Sequence, residues 1–97
     1  MAELDSFRLL NTETARRAHK AGVRIAMGSD AVYWMFGENT RELAQFVKAG
    51  LTPREALAAA TTTGAALLGM PRKLGRVAPG YYADIVAVEG DPLQDVH

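Results

Sequence analysis

Five residues, Val23-Arg24-Ile25-Ala26-Met27, form a nearly unbroken apolar run that gives way at once to Gly28-Ser29-Asp30. Apolarity that is continuous rather than alternating marks a strand covered on both faces, as in a parallel α/β sheet. The preceding stretch, Ser6 to Ala21, has helical spacing, with Phe7, Leu10, Thr14, Ala18 and Ala21 on one face and Gly22 as a C-terminal stop. Helix and strand together read as one αβ unit. A parallel sheet needs more strands than this chain contains, so the run predicts partners from elsewhere. Asp30 falls where the strand should end, the position at which parallel α/β folds gather reacting groups. Taken alone, it reads better as a turn or N-cap aspartate.

Composition removes several alternatives. Ninety-seven residues make one small domain with a limited core. A content of 48% hydrophobic and 23% charged residues is that of an ordinary globular chain and argues against disorder. Eleven basic residues balance eleven acidic ones without any block of one sign, so nothing favours nucleic acid or an anionic membrane as partner. The absence of cysteine excludes a disulfide scaffold and a thiolate metal site, and fits a reducing compartment. The acidic start, Met1-Ala2-Glu3-Leu4-Asp5, is unlike a signal peptide, and no apolar run reaches membrane-spanning length. A soluble, cytoplasmic protein is the expectation.

Further helices carry clear start signals. Asn39 with Glu42 three residues on has the spacing of a capping box, followed by Leu43, Phe46, Val47 and Gly50 on one face. Thr52-Pro53-Arg54-Glu55 is a second, fuller start signal. It predicts a helix whose stripe runs Leu57, Ala60, Thr61, Gly64, Leu67, Leu68 before Gly69 and Pro71 end it. The triplet Thr61-Thr62-Thr63 has the spacing to bond its own turn or line a packing face. Arg16, Arg17, His19 and Lys20 read as a solvated outer face, and His19 has no second ligand residue at metal spacing. Pro79-Gly80 suits the centre of a type II turn. With strand propensity over Ala83 to Val88, it predicts a hairpin, which is marginal without a sheet to join.

These pieces, in order and without gaps from Ala21 to Val96, resemble the C-terminal end of a metal-dependent amidohydrolase, nearest to the prolidase-like and imidazolonepropionase-like branch. The matching stretches are Ala21-Gly22-Val23 through Gly28-Ser29-Asp30, Gly37 to Leu43, Ala49 to Leu57, Ala60-Thr61, Leu74 to Gly80 and Ala83-Asp84-Ile85-Val86. The resemblance implies an α/β fold: the last αβ unit and two helices of a (β/α)8 barrel over residues 1–73, then strands of a small β-sandwich over 74–97. It implies hydrolysis of C–N bonds in an amide or dipeptide-type small molecule. It also implies zinc or another divalent metal in the parent enzyme. Asp30 would then be both metal-site residue and general base, taking a proton from the attacking water and returning it to the leaving nitrogen.

The departures are as informative. The family's His-X-His pair, bridging Lys or Glu, and later His ligands have no counterpart in these residues. One carboxylate cannot hold zinc, which takes three or four ligands, so this span alone is expected to bind no metal and to be inactive. Phe36-Gly37 stands where the nearest branch has His-Gly. Tyr33, Trp34 and Asn39 are candidates for substrate contact, although the aromatic run Tyr33 to Phe36 reads equally as a buried loop or an interface patch. A non-catalytic interaction module built from the same elements is the alternative reading. In either case the unpartnered strands Val23–Met27 and Ala83–Val88 predict self-association.

Overall fold

A computed structural model describes all 97 residues as a helical chain. Four helices occur in order: α1 (Ala2–Lys20), α2 (Arg41–Lys48), α3 (Pro53–Ala60) and α4 (Thr62–Leu67), with a 3-10 turn at Tyr33–Met35 between α1 and α2. Helix α2 packs on α3, α3 on α4, and α1 on α2.

The expected α/β architecture is overturned. Neither Val23–Met27 nor Ala83–Val88 forms a strand, and the hairpin expected within residues 74–97 is absent. The cause is pairing. A strand exists through the ladder it shares with a neighbour, and no second extended segment lies beside either run. The first run is instead tied to a helix end, where the Met27 N–H donates to the Ala59 carbonyl at 3.0 Å. Its turn chemistry is nonetheless local and intact. In the second region the Tyr81 N–H donates to the Ala78 carbonyl across Pro79-Gly80, closing the turn with Gly80 at φ 83°.

Helix α1 is longer than its periodicity suggested, and it buries a different face. Of the expected face Phe7, Leu10 and Thr14 are exposed and Ala18 is half-buried, whereas Thr12, Ala15, Arg16 and His19 beside it are half-buried. Arg16 bonds Glu13 and also reaches the Lys48 carbonyl at 3.1 Å, placing a cation at the C-terminal end of α2 where the helix dipole favours it. His19 Nε2 lies 3.5 Å from Glu55 Oε2 at the start of α3. The basic cluster is therefore partly a set of clasps between helices, not a uniformly solvated face. Helix α1 ends in a Schellman motif around Gly22, with Gly22 N–H on His19 and Val23 N–H on Ala18.

The helix expected to run from Pro53 to Leu68 is broken in two at Thr61, whose φ of −126° and ψ of −88° are non-helical. Its hydroxyl donates back to the Leu57 carbonyl at 2.7 Å. Gly75 (φ 85°) passes so close that a Cβ there would stand 2.7 Å from the Thr61 carbonyl oxygen. The buried residues of the two halves are Ala56, Ala59 and Ala65, while Leu67 and Leu68 are exposed. Six residues in all are buried: Phe46, Ala49, Leu51, Ala56, Ala59 and Ala65. Ile25, Met27, Leu43 and Val47 pack against them. Four alanines in a core of six leave little apolar area to remove from water. Most of the large apolar side chains consequently remain on the surface.

Candidate active site

The site is built on the loop between the apolar run and α2. Once Met27 is pinned to Ala59, the chain leaves the packed helices through Gly28 and Ser29, and Asp30 turns it with φ 47°. Asp30 is the sole non-glycine residue with positive φ, a left-handed conformation that aspartate tolerates better than most residues. Its carboxylate is exposed and has no hydrogen bond or ion pair in the chain. The 3-10 turn follows, and the loop then closes on itself. Asn39 Nδ2 donates to Ser29 Oγ at 2.9 Å, and Gly37 N–H donates to Asn39 Oδ1 at 3.2 Å.

Beneath this closure lies Glu42, half-buried in the first turn of α2. Burial pushes its carboxyl above the ordinary carboxylate range, against a smaller downward pull from the Gly28 backbone N–H. Its Oε2 is sealed from solvent and has no hydrogen-bond partner. The capping box expected of Asn39 and Glu42 does not form: Thr40 occupies the N-cap position, and no side chain caps α2. At α3 the equivalent expectation holds, with Thr52 and Glu55 bonded reciprocally.

Between α1, α2 and this loop runs a groove of about 820 Å³. Trp34, Asn39 and Ser29 line it from the loop side, and Arg8, Asn11 and Lys48 from the helices. Of the residues singled out from sequence, Trp34 and Asn39 thus share the groove, while Asp30 and Tyr33 stand on the same loop outside its lining. Tyr33 and Trp34 are each 82% exposed, so neither belongs to a buried loop. A smaller hollow of about 320 Å³ in the tail, lined by Val77, Pro79, Tyr82 and Ile85, shares no residue with this loop. No three His, Cys, Asp or Glu side chains converge anywhere to hold a metal ion. The donor set around Asp30 therefore does not by itself fit a metal. Sequence reasoning missed Glu42 as a site neighbour, because its three-residue spacing from Asn39 had a sufficient explanation as a helix cap.

Comparison with known proteins points to one family. The model of the amidohydrolase family matches residues 8–97. The chain is 42% identical over 82 residues to ochratoxinase of Aspergillus niger, an alignment that covers 81% of this chain and 16% of that protein. A second ochratoxinase sequence, from another strain of the fungus, gives the same figures. A crystal structure of an amidohydrolase superposes with a TM-score of 0.81 at 34% identity, over 88% of this chain and 20% of that one. The chain thus spans less than a quarter of the length of the relatives it matches. With the family model covering nearly every residue from α1 to the C-terminus, the chain belongs to the amidohydrolase family.

Proposed function

We propose that this chain is the part of a metal-dependent amidohydrolase that carries its general base, Asp30, and that the whole enzyme hydrolyses a C–N bond in a small amide or dipeptide-type substrate in the cytoplasm. The observation that carries this reading is Asp30 itself. It is exposed, unpaired and held in a left-handed turn at the end of a tethered apolar run, inside the span that matches the family. Backbone strain of this kind persists where surrounding structure over-determines it, and it gathers at working sites.

Asp30 accepts the proton of the water that attacks the substrate carbonyl. The same carboxyl then gives the proton to the leaving nitrogen as the C–N bond breaks, so the amine departs neutral and Asp30 returns to its ionised form. A divalent metal, when bound, polarises the carbonyl and acidifies water. Asp30 is the one ligand we assign to it here, and the others come from outside these residues. Trp34 and Asn39 on the groove, with Tyr33 beside them, orient the substrate.

The test is steady-state kinetics on the complete enzyme carrying this segment. Asp30→Asn keeps the shape and removes the base, and should lower kcat by about 100-fold or more. Turnover close to wild type in that variant overturns the reading.

A further inference from the structure

The loop that carries Asp30 leaves the packed helices after Met27 and rejoins them at Arg41, where α2 begins. Its returning limb, Val32 to Asn39, is ordered locally. Met35 N–H donates to the Val32 carbonyl at 2.7 Å and Glu38 N–H to the Met35 carbonyl at 2.9 Å. The outgoing limb, Ser29 to Ala31, has no such support, and neither Asp30 nor Ala31 takes part in any hydrogen bond. A single hydrogen bond joins the two limbs, from Asn39 Nδ2 to Ser29 Oγ at 2.9 Å. Resting on the assignment of Asp30 as general base, we propose that Ser29 and Asn39 form a latch that closes this loop into a ring, and that both are positioning residues for the Asp30 it carries.

A third group fixes the sense of the bond. The Gly37 N–H can only donate, and it meets Asn39 Oδ1 at 3.2 Å. The amide oxygen of Asn39 therefore faces Gly37 and its NH2 group faces Ser29, whose hydroxyl accepts and keeps its own hydrogen free. Asn39 gives both ends of its amide to the loop and none to the helix behind it, since no side chain caps α2. Ser29 is half-buried, and the residue after it, Asp30, stands exposed in the left-handed region at φ 47°. A free aspartate visits that region as one conformation among several. Joining the limbs at Ser29 shortens the free backbone on which Asp30 rides, and with it the number of conformations open to it. Trp34 lies on the same ring, so the base and a residue lining the groove are held in one frame. A group near the chemistry that wanders by about 1 Å can lose about 100-fold in rate.

The experiment measures kcat, KM and amide hydrogen exchange of the complete enzyme, the kinetics on a dipeptide or N-acyl amino acid that it cleaves. Ser29→Ala and Asn39→Ala should each lower kcat about 10- to 100-fold. The double variant should be within about twofold of the worse single one, because two ends of one bond are not additive. Ser29→Thr keeps the hydroxyl and should recover most of the loss. In an Asp30→Asn background Ser29→Ala should cost less than about twofold more, since the residue it positions has already lost its function. Ser29→Ala removes no partner of Gly37, yet the Gly37 amide should exchange about 3- to 10-fold faster as the ring opens. The inference is overturned if Ser29→Ala keeps wild-type kcat while Asn39→Ala does not, which would make Asn39 a substrate contact. It is overturned equally if the two losses multiply in the double variant, if Ser29→Thr is as impaired as Ser29→Ala, or if Gly37 exchange in Ser29→Ala is that of wild type. Should Asn39→Ala not fold, Ser29→Ala and Ser29→Thr decide by the same criteria. Wild-type turnover in Asp30→Asn overturns the function proposed for Asp30, whereas an inactive Asp30→Asn beside latch variants with wild-type turnover and exchange overturns the latch alone.

Discussion

The Met27 N–H and the Ala59 carbonyl, 3.0 Å apart, join the end of the apolar run to the last turn of α3. That single bond replaces the ladder a strand would have had, and it sets the point from which the Asp30 loop departs. Hydrogen exchange can see the difference. The Met27 amide should be protected, as should that of Val23, which is bonded to Ala18, while Arg24, Ile25 and Ala26 donate to no backbone partner and should exchange fast. Uniform protection from residue 23 to 27 would contradict the tether and show a paired strand.

Gly75 should not tolerate a side chain. Its φ is 85°, and a Cβ would lie 2.7 Å from the Thr61 carbonyl oxygen, a backbone atom that cannot swing away. Gly75→Ala is expected to destabilise the chain by about 2 kcal/mol or more, from the left-handed penalty plus the clash. Chemical denaturation of the two proteins measures it, and equal midpoints would refute the close approach.

The α3 start should confer acid sensitivity. Bonding to the Thr52 backbone N–H holds the Glu55 carboxyl below its ordinary 4.5, helped by the Thr52 hydroxyl and by His19. A folded-state pKa below the unfolded one stabilises fully above 4.5, and that contribution is lost as pH falls through the depressed value. Glu42 works in the opposite sense. With its folded value raised, its contribution is present below 4.5 and lost as pH rises through the raised value. Thr52→Ala should cost about 1 kcal/mol at neutral pH and flatten the decline in stability below pH 4.5. An unchanged acid slope in Thr52→Ala would remove Glu55 as its source.

Expressed alone, the chain should associate. Tyr33, Trp34, Val77, Val86 and Leu67 are all exposed, and the core is too small to hide them. Sedimentation at micromolar concentration should find species larger than a monomer, with dye binding to apolar surface. A clean monomer that binds no dye would show that these side chains find cover within the chain.

Legibility from sequence followed the range of each interaction. The Thr52–Glu55 box, the Gly22 stop and the Pro79-Gly80 turn depend on residues within a few positions, and all three are present. The apolar run was conspicuous, but whether it becomes a strand depends on a neighbour, which no property of the run can supply. Choosing the face of α1 required knowing where α2 and α3 lie, since Arg16 and His19 earn their burial from Lys48 and Glu55. The close approach of Gly75 to the break at Thr61 likewise joins residues fourteen positions apart and is invisible to helical periodicity. At the site, Asp30 and Asn39 stood out by their place in a motif, whereas Glu42 was disguised by a capping spacing that it does not use.

The packing of α2 on α3 and of α3 on α4 has a kinetic consequence. Each helix meets its nearest neighbour in the chain, so the loops to be closed are short and cost little entropy. Folding can therefore start in the stretch from Leu43 to Ala65, on the timescale of helix formation and short-loop closure, without waiting for distant segments to arrive. Ala59, whose carbonyl accepts the Met27 N–H, lies inside that early unit, so the point from which the Asp30 loop departs would be in place before the loop itself is ordered.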